Sequence, residues 1–307
     1  MPRFLRYLLP NLVTMASLTF GMLSILSTLA GQYVDAAWFI IFSVLTDKLD
    51  GFVARLVKGT SEFGVQLDSF ADFLNFGIAP AAMWYSYLGL AGSPLADGTG
   101  HWLLAIACAL WVLAVTFRLA RYNIVGDDPR CKRIFFGVPT TLMGGLLCAL
   151  FLALQKYGAD FAGVPQTWND PYLLPGVSIS SKVWIIWPGL LALGAFLMAS
   201  AVKIPKLGLS RSKMLSAFIL GNVFLGYVAG ALRVIPELLW FDATIWTMVA
   251  IVWGMVNHDV RPLRPPPIFP VADLPAHKRP QRPEEDHLPE EDEEHHAADE
   301  QALRRQT

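Results

Sequence analysis

Four aspartates lie within sequence that is otherwise apolar enough to cross a bilayer. The stretch reads DKLDGFVARLVKGTSEFGVQLDSFAD, and its aspartates are Asp47, Asp50, Asp68 and Asp72. A carboxylate at membrane depth is costly, so such a residue usually faces protein or water and marks a functional site. Asp47 and Asp50 are spaced i, i+3 and Asp68 and Asp72 i, i+4, which places each pair on one face of a helix. Two packed helices would therefore bring all four carboxylates into one pocket.

The remainder of the chain predicts an all-α polytopic membrane protein. Hydrophobic residues make up 54% of the 307 and charged residues 16%, a composition typical of membrane proteins. A spanning helix needs about 20 apolar residues. We therefore expect about eight transmembrane helices, near residues 12–30, 36–57, 64–89, 102–123, 138–157, 183–202, 214–233 and 238–256. The second and third carry the aspartates and are the least hydrophobic.

Two segments flank this transmembrane domain, which we place at residues 12–256. Residues 1–11 are basic and amphipathic, which favours a short helix lying in the membrane interface. Residues 257–307 are first proline-rich and then acidic. Because they contain few apolar side chains, we expect a disordered tail. The sequence thus predicts three parts, of which the middle one carries the function.

The distribution of Lys and Arg predicts the orientation. If the N-terminus is cytoplasmic, thirteen of these residues lie at inside ends of the predicted spans and three at outside ends. Because short cytoplasmic loops are enriched in Lys and Arg, we expect both termini and the aspartate stretch to face the cytoplasm. Seven tryptophans near span ends are expected to be interface anchors: Trp38, Trp84, Trp102, Trp184, Trp187, Trp240 and Trp253.

The four carboxylates predict a site for divalent cations. Grouped carboxylates repel one another unless cations neutralise them, and oxygen ligands suit Mg²⁺ or Mn²⁺. Such cations typically bridge phosphate oxygens. The small residues Gly51, Ala54 and Gly64 allow close approach of another helix or of a ligand, and the Arg55 guanidinium suits a second phosphate. These residues together indicate a substrate containing pyrophosphate, bound at the cytoplasmic edge of the bilayer.

The same residues resemble the signature of the CDP-alcohol phosphatidyltransferase family. The matching pattern is Asp47-xx-Asp50-Gly51-xx-Ala54-Arg55, followed after eight residues by Gly64-xxx-Asp68-xxx-Asp72. The resemblance implies that CMP leaves a CDP-activated lipid while an alcohol hydroxyl takes over the phosphatidyl group. It also implies that the four aspartates hold two Mg²⁺ or Mn²⁺ ions and that Asp72 is the general base. By the same resemblance, Gly51, Ala54, Arg55 and Gly64 lie along the CDP moiety.

More of the chain is similar to the phosphatidylserine synthase branch of that family. The matching pieces are residues 10–14, 61–81, 118–123 and 135–141. This similarity implies CDP-diacylglycerol and L-serine as substrates, a six-helix catalytic core, a homodimer and a place in the prokaryotic inner membrane among its lipids. Two places depart from that branch: Asn75, where Ser is usual, and the Thr-Thr pair that follows Pro139.

A second polar cluster, FRLARYN, suggests where the acceptor alcohol binds. Arg118 and Arg121 stand at i, i+3 at the cytoplasmic end of the fourth span. They are ordinary membrane anchors in one reading. In the other, one arginine binds the carboxylate of serine and Asn123 adds a hydrogen bond. The sequence leaves both readings open.

Other functions fit parts of the pattern. Another acceptor, such as glycerol 3-phosphate, an inositol phosphate or choline, would use the same chemistry. A cation-coupled transporter would explain the intramembrane carboxylates, but it would not explain the fixed spacing of Gly51, Ala54, Arg55 and Gly64. Nothing in the sequence indicates a nucleic-acid partner.

Overall fold

The structure is a computed structural model. It describes residues 3–57, 61–126, 128, 131, 134–161, 168, 171–206 and 213–268. The chain divides into two units, residues 1–266 and 267–307. Apart from Pro267 and Ile268, the second unit lies outside the described residues, and so does most of the predicted disordered tail.

The described part of the chain folds as helices with one small β-ladder. Its α-helices are α1 (Arg3–Leu29), α2 (Tyr33–Val57), α3 (Glu62–Asp72), α4 (Ala79–Leu88), α5 (Gly98–Val125), α6 (Thr140–Lys156), α7 (Trp187–Ala199), α8 (Lys213–Ala231) and α9 (Pro236–Val256). A π-helix, Phe73–Ile78, joins α3 to α4, and a 3-10 helix, Ser181–Ile186, precedes α7. The strands β1 (Ile134–Phe136) and β2 (Lys203–Pro205) pair antiparallel.

The apolar runs of the sequence coincide with these helices, and the protein is an integral membrane protein. Within the described residues, four helical segments are long and apolar enough to span a bilayer: Leu8–Leu29, Gly98–Val125, Ser181–Ala199 and Pro236–Val256. The α2 helix is long enough but carries charged residues in its second half, beginning with Asp47 and Lys48. The third predicted span is a continuous run of α3, the π-helix and α4. The all-α fold class is confirmed, and the count of eight spans stays a prediction.

The two ends of the predicted transmembrane domain continue into their neighbours. The α1 helix runs without a break from Arg3, and Pro10 does not interrupt it, so residues 3–11 form its first turns. At the other end, Val260 and Leu263 pack against a cluster formed by Val125, Cys131, Ile134 and Phe136. The first residues of the predicted tail therefore belong to the folded unit.

An aromatic cluster fills the middle of the bundle. Trp84, Trp184 and Trp187 are fully buried, and Trp84 meets Trp111 edge to face with ring centroids 5.2 Å apart. Such pairs stabilise beyond the area that they bury. The prediction that these tryptophans are interface anchors is wrong, since they point into the protein, as does Trp38. Of the seven predicted anchors, Trp102 and Trp253 are exposed.

The short β-ladder fixes the loop that leads into α6. Gly137, which follows β1, has φ +83°, and a Cβ there would collide with the carbonyl oxygen of Met198. Glycine is therefore needed on both counts. Its N–H donates to the Val202 carbonyl at 2.6 Å, and the N–H of Val138 donates to the Leu197 carbonyl at 3.1 Å. The loop that leads to Thr140, the first residue of α6, is thus bonded both to the residue before β2 and to α7.

A buried ion pair joins α6 to α9. The Lys156 ammonium donates to both carboxylate oxygens of Glu237, at 3.0 and 3.2 Å, and both side chains are almost fully buried. Glu237 also accepts from the Tyr157 hydroxyl at 3.1 Å and from the Leu173 N–H at 2.9 Å. These bonds hold the loop around Leu173 against two helices.

We expect Lys156→Met to lower the free energy of unfolding by about 3–5 kcal/mol, because it leaves a buried carboxylate without its cation. The measurement is SDS-induced unfolding in mixed micelles. Asp35→Asn is the matched control, since the Asp35–Arg233 pair is about 40% exposed and should contribute at most about 1 kcal/mol. Equal effects of the two substitutions would contradict the prediction.

Candidate active site

The four aspartates of the motif converge where α2 and α3 face each other. Carboxylate oxygens of Asp47, Asp50 and Asp68 all lie within 4.8 Å of one another. The Asp72 carboxyl contacts that of Asp47, which extends the cluster to the fourth member. Asp50 and Asp72 are buried, whereas Asp47 and Asp68 are half-buried. The structure therefore brings together all four carboxylates that the helical spacing predicted would meet.

The beginning of α3 places Asp68 and Asp72 on this face. Ser61 caps the helix, its hydroxyl oxygen accepting from the Gly64 N–H at 3.0 Å, as N-terminal serines commonly do. A Cβ on Gly64 would lie 3.0 Å from Asn11 Oδ1 on α1. The missing side chain of Gly64 therefore lets α3 approach α1 closely, as its small size indicated.

The two carboxylate oxygens of buried Asp72 have different surroundings. Its Oδ2 accepts from the Thr140 hydroxyl at 3.3 Å. Its Oδ1 receives no hydrogen bond from any donor in the described part of the chain, although the residue is only 8% exposed. Thr141, the next residue of α6, contacts Asp47. One oxygen of Asp72 is thus held by the protein and the other remains available.

Asp50 has a similar partner on another helix. The Thr14 hydroxyl of α1 donates to Asp50 Oδ2 at 2.9 Å. Neither Thr14 nor Thr140 was among the site residues predicted from the sequence. Both lie in pieces that resemble the family, 10–14 and 135–141, but a neutral side chain gives no electrostatic signal comparable to an aspartate in apolar sequence.

The donor set fits a hard divalent cation. Three clustered carboxylates and the free Oδ1 of buried Asp72 offer only oxygen atoms, which Mg²⁺ and Mn²⁺ prefer. Two ionised carboxylates in contact repel each other, so the Asp47–Asp72 contact requires either a shared proton or a cation. The acidic cluster is therefore able to bind a divalent metal ion.

The predicted acceptor residues separate into different environments. Arg118 is 7% exposed, and its Nη1 donates to the Thr140 hydroxyl at 3.2 Å. Its buried Nε meets no acceptor among the described residues. Asn123 hydrogen-bonds through its amide to the Ser69 hydroxyl of α3, at 3.0 Å. The Thr140 hydroxyl therefore bridges Arg118 and Asp72.

Arg121 does not fit the acceptor-binding role predicted for it. Its guanidinium donates to the carbonyl oxygens of Phe136, Met198, Ala199 and Ser200, at 2.5–3.4 Å. Because both terminal nitrogens are occupied by backbone, they are not free to form a bidentate pair with a carboxylate. Arg121 instead connects the last residue of β1 to the end of α7.

The remaining motif residues belong to α2. Gly51 is half-buried and directly follows Asp50. Ala54 and Arg55 lie in the last turns of the helix, with side chains outside the described part of the structure. Their predicted contacts with CDP stay predictions, as do those of Gly51 and Gly64.

Comparison with known proteins identifies the family. The sequence model of the CDP-alcohol phosphatidyltransferases matches residues 7–191, which is more than half of the chain and includes all four aspartates. The chain belongs to the CDP-alcohol phosphatidyltransferase family. Family membership does not favour the cation-coupled transporter considered above.

Individual proteins are similar in sequence to this chain. A CDP-diacylglycerol–serine O-phosphatidyltransferase from Helicobacter pylori (strain ATCC 700392 / 26695) is 38% identical over 179 residues, covering 58% of this chain and 71% of the relative. One of the same name from Bacillus subtilis (strain 168) is 31% identical over 146 residues, covering 47% and 75%. An archaetidylserine synthase from Methanothermobacter thermautotrophicus is 33% identical over 146 residues, covering 47% and 58%.

We expect the purified protein to bind Mn²⁺ and Asp68→Asn to weaken that binding at least about tenfold, because one anionic ligand is lost from the cluster. Free Mn²⁺ measured by electron paramagnetic resonance gives the affinity. Glu62→Gln is the control, since Glu62 is an exposed acid in the first turn of the same helix. Unchanged binding by the Asp68 variant would remove Asp68 from the site.

Proposed function

We propose that this phosphatidyltransferase transfers the phosphatidyl group of CDP-diacylglycerol to the hydroxyl of L-serine, forming phosphatidylserine and releasing CMP. The observation that carries the proposal is the cluster of Asp47, Asp50 and Asp68, extended to Asp72 through its contact with Asp47. A buried arginine, Arg118, lies beside it with an Nε that has no acceptor among the described residues. The names of the Helicobacter and Bacillus relatives support serine as acceptor. Membership of the family supports the transfer itself.

Asp47, Asp50, Asp68 and Asp72 would hold two divalent cations, Mg²⁺ or Mn²⁺. When bound, such ions neutralise the diphosphate and the charge that builds up on its oxygens during transfer. Gly51, Ala54, Arg55 and Gly64 would lie along the CDP moiety, with Arg55 contributing a positive charge to a phosphate.

In the transfer step, Asp72 acts as the general base. The serine hydroxyl oxygen forms a bond to the phosphorus that carries the diacylglycerol, and the bond from that phosphorus to the CMP oxygen breaks. The hydroxyl proton passes to a carboxylate oxygen of Asp72, for which Oδ1 has no competing donor in the described residues. Direct attack inverts the configuration at phosphorus, and CMP leaves with the bonding electrons.

Arg118 would hold the carboxylate of serine. An anionic acceptor approaching four aspartates is repelled unless a cation binds its far end. Because Nη1 of Arg118 is bonded to Thr140, the Nε side of the guanidinium is the part available for a carboxylate. Asn123 lies on the same helix, and it would contribute only by exchanging its bond with Ser69.

The cellular setting completes the proposal. The enzyme would lie in the prokaryotic inner membrane with the site and both termini on the cytoplasmic side, in accordance with the Lys and Arg distribution. It would work as a homodimer among membrane lipids, with a core of six helices. Acyl chains of CDP-diacylglycerol would remain in the bilayer while the diphosphate reaches the aspartates.

The test is a transfer assay with purified protein in vesicles containing CDP-diacylglycerol. CMP release and phosphatidyl product are measured with serine, glycerol 3-phosphate, an inositol phosphate and choline. We expect serine to give by far the highest kcat/KM. A preference for another alcohol would overturn the acceptor assignment. Full activity in excess EDTA would overturn the metal assignment.

We expect Arg118→Lys to raise the KM for serine and leave the KM for CDP-diacylglycerol nearly unchanged, because lysine cannot reproduce a guanidinium pair. Loss of such a buried charged contact costs about 2–5 kcal/mol, which corresponds to roughly 30-fold to several-thousand-fold in affinity. Steady-state kinetics with both substrates provide the measurement.

Two further variants make that result specific. Arg121→Lys should lower thermal stability with little change in the KM for serine, because Arg121 binds backbone carbonyls. Arg6→Lys, at an exposed position, should change neither quantity. A serine KM that rises with Arg121→Lys and not with Arg118→Lys would place the acceptor elsewhere.

A further inference from the structure

Threonine side chains from neighbouring helices contact three of the four aspartates: half-buried Asp47 contacts Thr141, and the two buried aspartates each accept a hydrogen bond from another threonine. Asp50 and Asp72 are 7% and 8% exposed, and each has one carboxylate oxygen bonded to a threonine hydroxyl from a helix other than α2 and α3. Thr14 comes from α1 and Thr140 from α6, and both are buried, at 4% and 0% exposure. Two neighbouring helices, α1 and α6, therefore supply neutral donors to the acidic cluster.

The direction of the hydrogen bond from Thr140 follows from its two partners. Arg118 can only donate, so at 3.2 Å its Nη1 uses a lone pair of the Thr140 oxygen. The single hydroxyl proton is then directed to Asp72 Oδ2, 3.3 Å away. The chain Arg118–Thr140–Asp72 is thus polarised from cation to carboxylate, and it fixes which Asp72 oxygen is occupied.

Thr14 has a choice of acceptors for its one proton. The Pro10 carbonyl, one turn earlier in α1, is 3.2 Å from the hydroxyl oxygen, whereas Asp50 Oδ2 is at 2.9 Å. Hydrogen bonds to an ionised acceptor are shorter and stronger than neutral ones. The carboxylate is therefore the preferred partner, and the bond pins one oxygen of Asp50 against α1.

We propose that Thr14 and Thr140 are positioning residues that set the rotamers of Asp50 and Asp72 for cation binding and for phosphatidyl transfer. Each hydroxyl occupies one carboxylate oxygen and leaves the other without a threonine partner. This inference rests on the proposed function for its catalytic part. Its metal-binding part stands on the geometry of the cluster.

The position of Thr140 is itself tightly determined. It begins α6 directly after Pro139, in the loop held by the β1–β2 region and by the Arg121 bond to the Phe136 carbonyl at 2.5 Å. A side chain at the first residue of a helix that is anchored on both sides has little freedom to move. Thr140 is therefore able to act on Asp72 as a fixed donor.

The experiment removes each hydroxyl without changing the size of the side chain much. In Thr14→Val and Thr140→Val, we expect Mn²⁺ affinity, measured by electron paramagnetic resonance, to fall about 10- to 100-fold, as for other residues that orient metal ligands. At saturating Mn²⁺, we expect kcat of Thr140→Val to fall by about the same factor, with the KM for CDP-diacylglycerol unchanged. Thr14→Ser and Thr140→Ser keep the hydroxyl and should stay within about threefold of the wild type.

Two buried threonines elsewhere provide matched controls. The hydroxyls of Thr28 on α1 and Thr247 on α9 donate to backbone carbonyls of their own helices, at 2.9 and 2.6 Å. Thr28→Val and Thr247→Val should leave Mn²⁺ binding and kcat unchanged. Thermal unfolding without metal shows whether any variant has simply lost its fold. In that case the Ser variants still show whether the effect comes from losing the hydroxyl or from altered packing.

The outcomes separate this inference from the proposed function. Wild-type protein that binds Mn²⁺ but transfers no phosphatidyl group would overturn the proposed function, while the Mn²⁺ titrations would still decide the roles of Thr14 and Thr140. Valine variants that bind Mn²⁺ as the wild type does would overturn the inference. So would Ser variants that lose as much affinity as the Val variants, or a wild type that binds no Mn²⁺ at all.

Discussion

The energetic cost of gathering carboxylates inside an apolar bundle governs this structure. Asp50 and Asp72 are almost fully buried, and a buried charge is tolerated only where hydrogen bonds or opposite charges offset its lost hydration. The protein supplies both hydrogen bonds and a positive charge. Hydroxyl donors come from α1 and α6, a guanidinium stands behind one of them, and the carboxylates leave their remaining oxygens to each other and to a cation.

This constraint explains why parts of the chain far from the motif are arranged as they are. The loop that places Thr140 near Asp72 contains Gly137, which has a positive φ, and begins at Phe136, whose carbonyl binds Arg121. Gly64 allows α3 to lie against Asn11 of α1, the helix that also carries Thr14. Gly64, Gly137 and Arg121 thus help to position the helices that carry Thr14 and Thr140, the hydrogen-bond donors to Asp50 and Asp72.

The sequence predicted the features that follow from local spacing. Apolar runs located the helices, and the i, i+3 and i, i+4 aspartates of α2 and α3 do meet. The charged side chains expected in α2, beginning with Asp47 and Lys48, also keep it out of the helices apolar enough to span. These predictions succeed because helical periodicity and side-chain hydrophobicity are properties of contiguous residues.

What the sequence could not reveal depends on contacts between distant residues. Thr14 and Asp50 are 36 positions apart, and Thr140 and Asp72 are 68 apart. Arg118 and Arg121 looked equivalent in the pattern FRLARYN. Only the tertiary fold shows that Arg121 donates to backbone carbonyls. The tryptophans were misplaced for a related reason: nearness to the end of a span does not tell which side of a helix faces lipid.

The π-helix that follows Asp72 has a consequence for how the third span is built. Its closing bond runs from the Ala79 N–H to the Leu74 carbonyl, five residues back, and the Phe76 carbonyl accepts from the Trp111 indole at 2.9 Å. Each residue of an ordinary α-helix turns the chain by about 100°, so a single added residue shifts the phase of everything beyond it. The π-helix thereby sets the angle about the helix axis between the aspartate face of α3 and the aromatic face of α4, although the two helices form one continuous segment. Deleting one residue from Phe73–Ile78 would restore regular helix and bring the two faces into the wrong phase, so that the carboxylates and the tryptophan core could not both be satisfied.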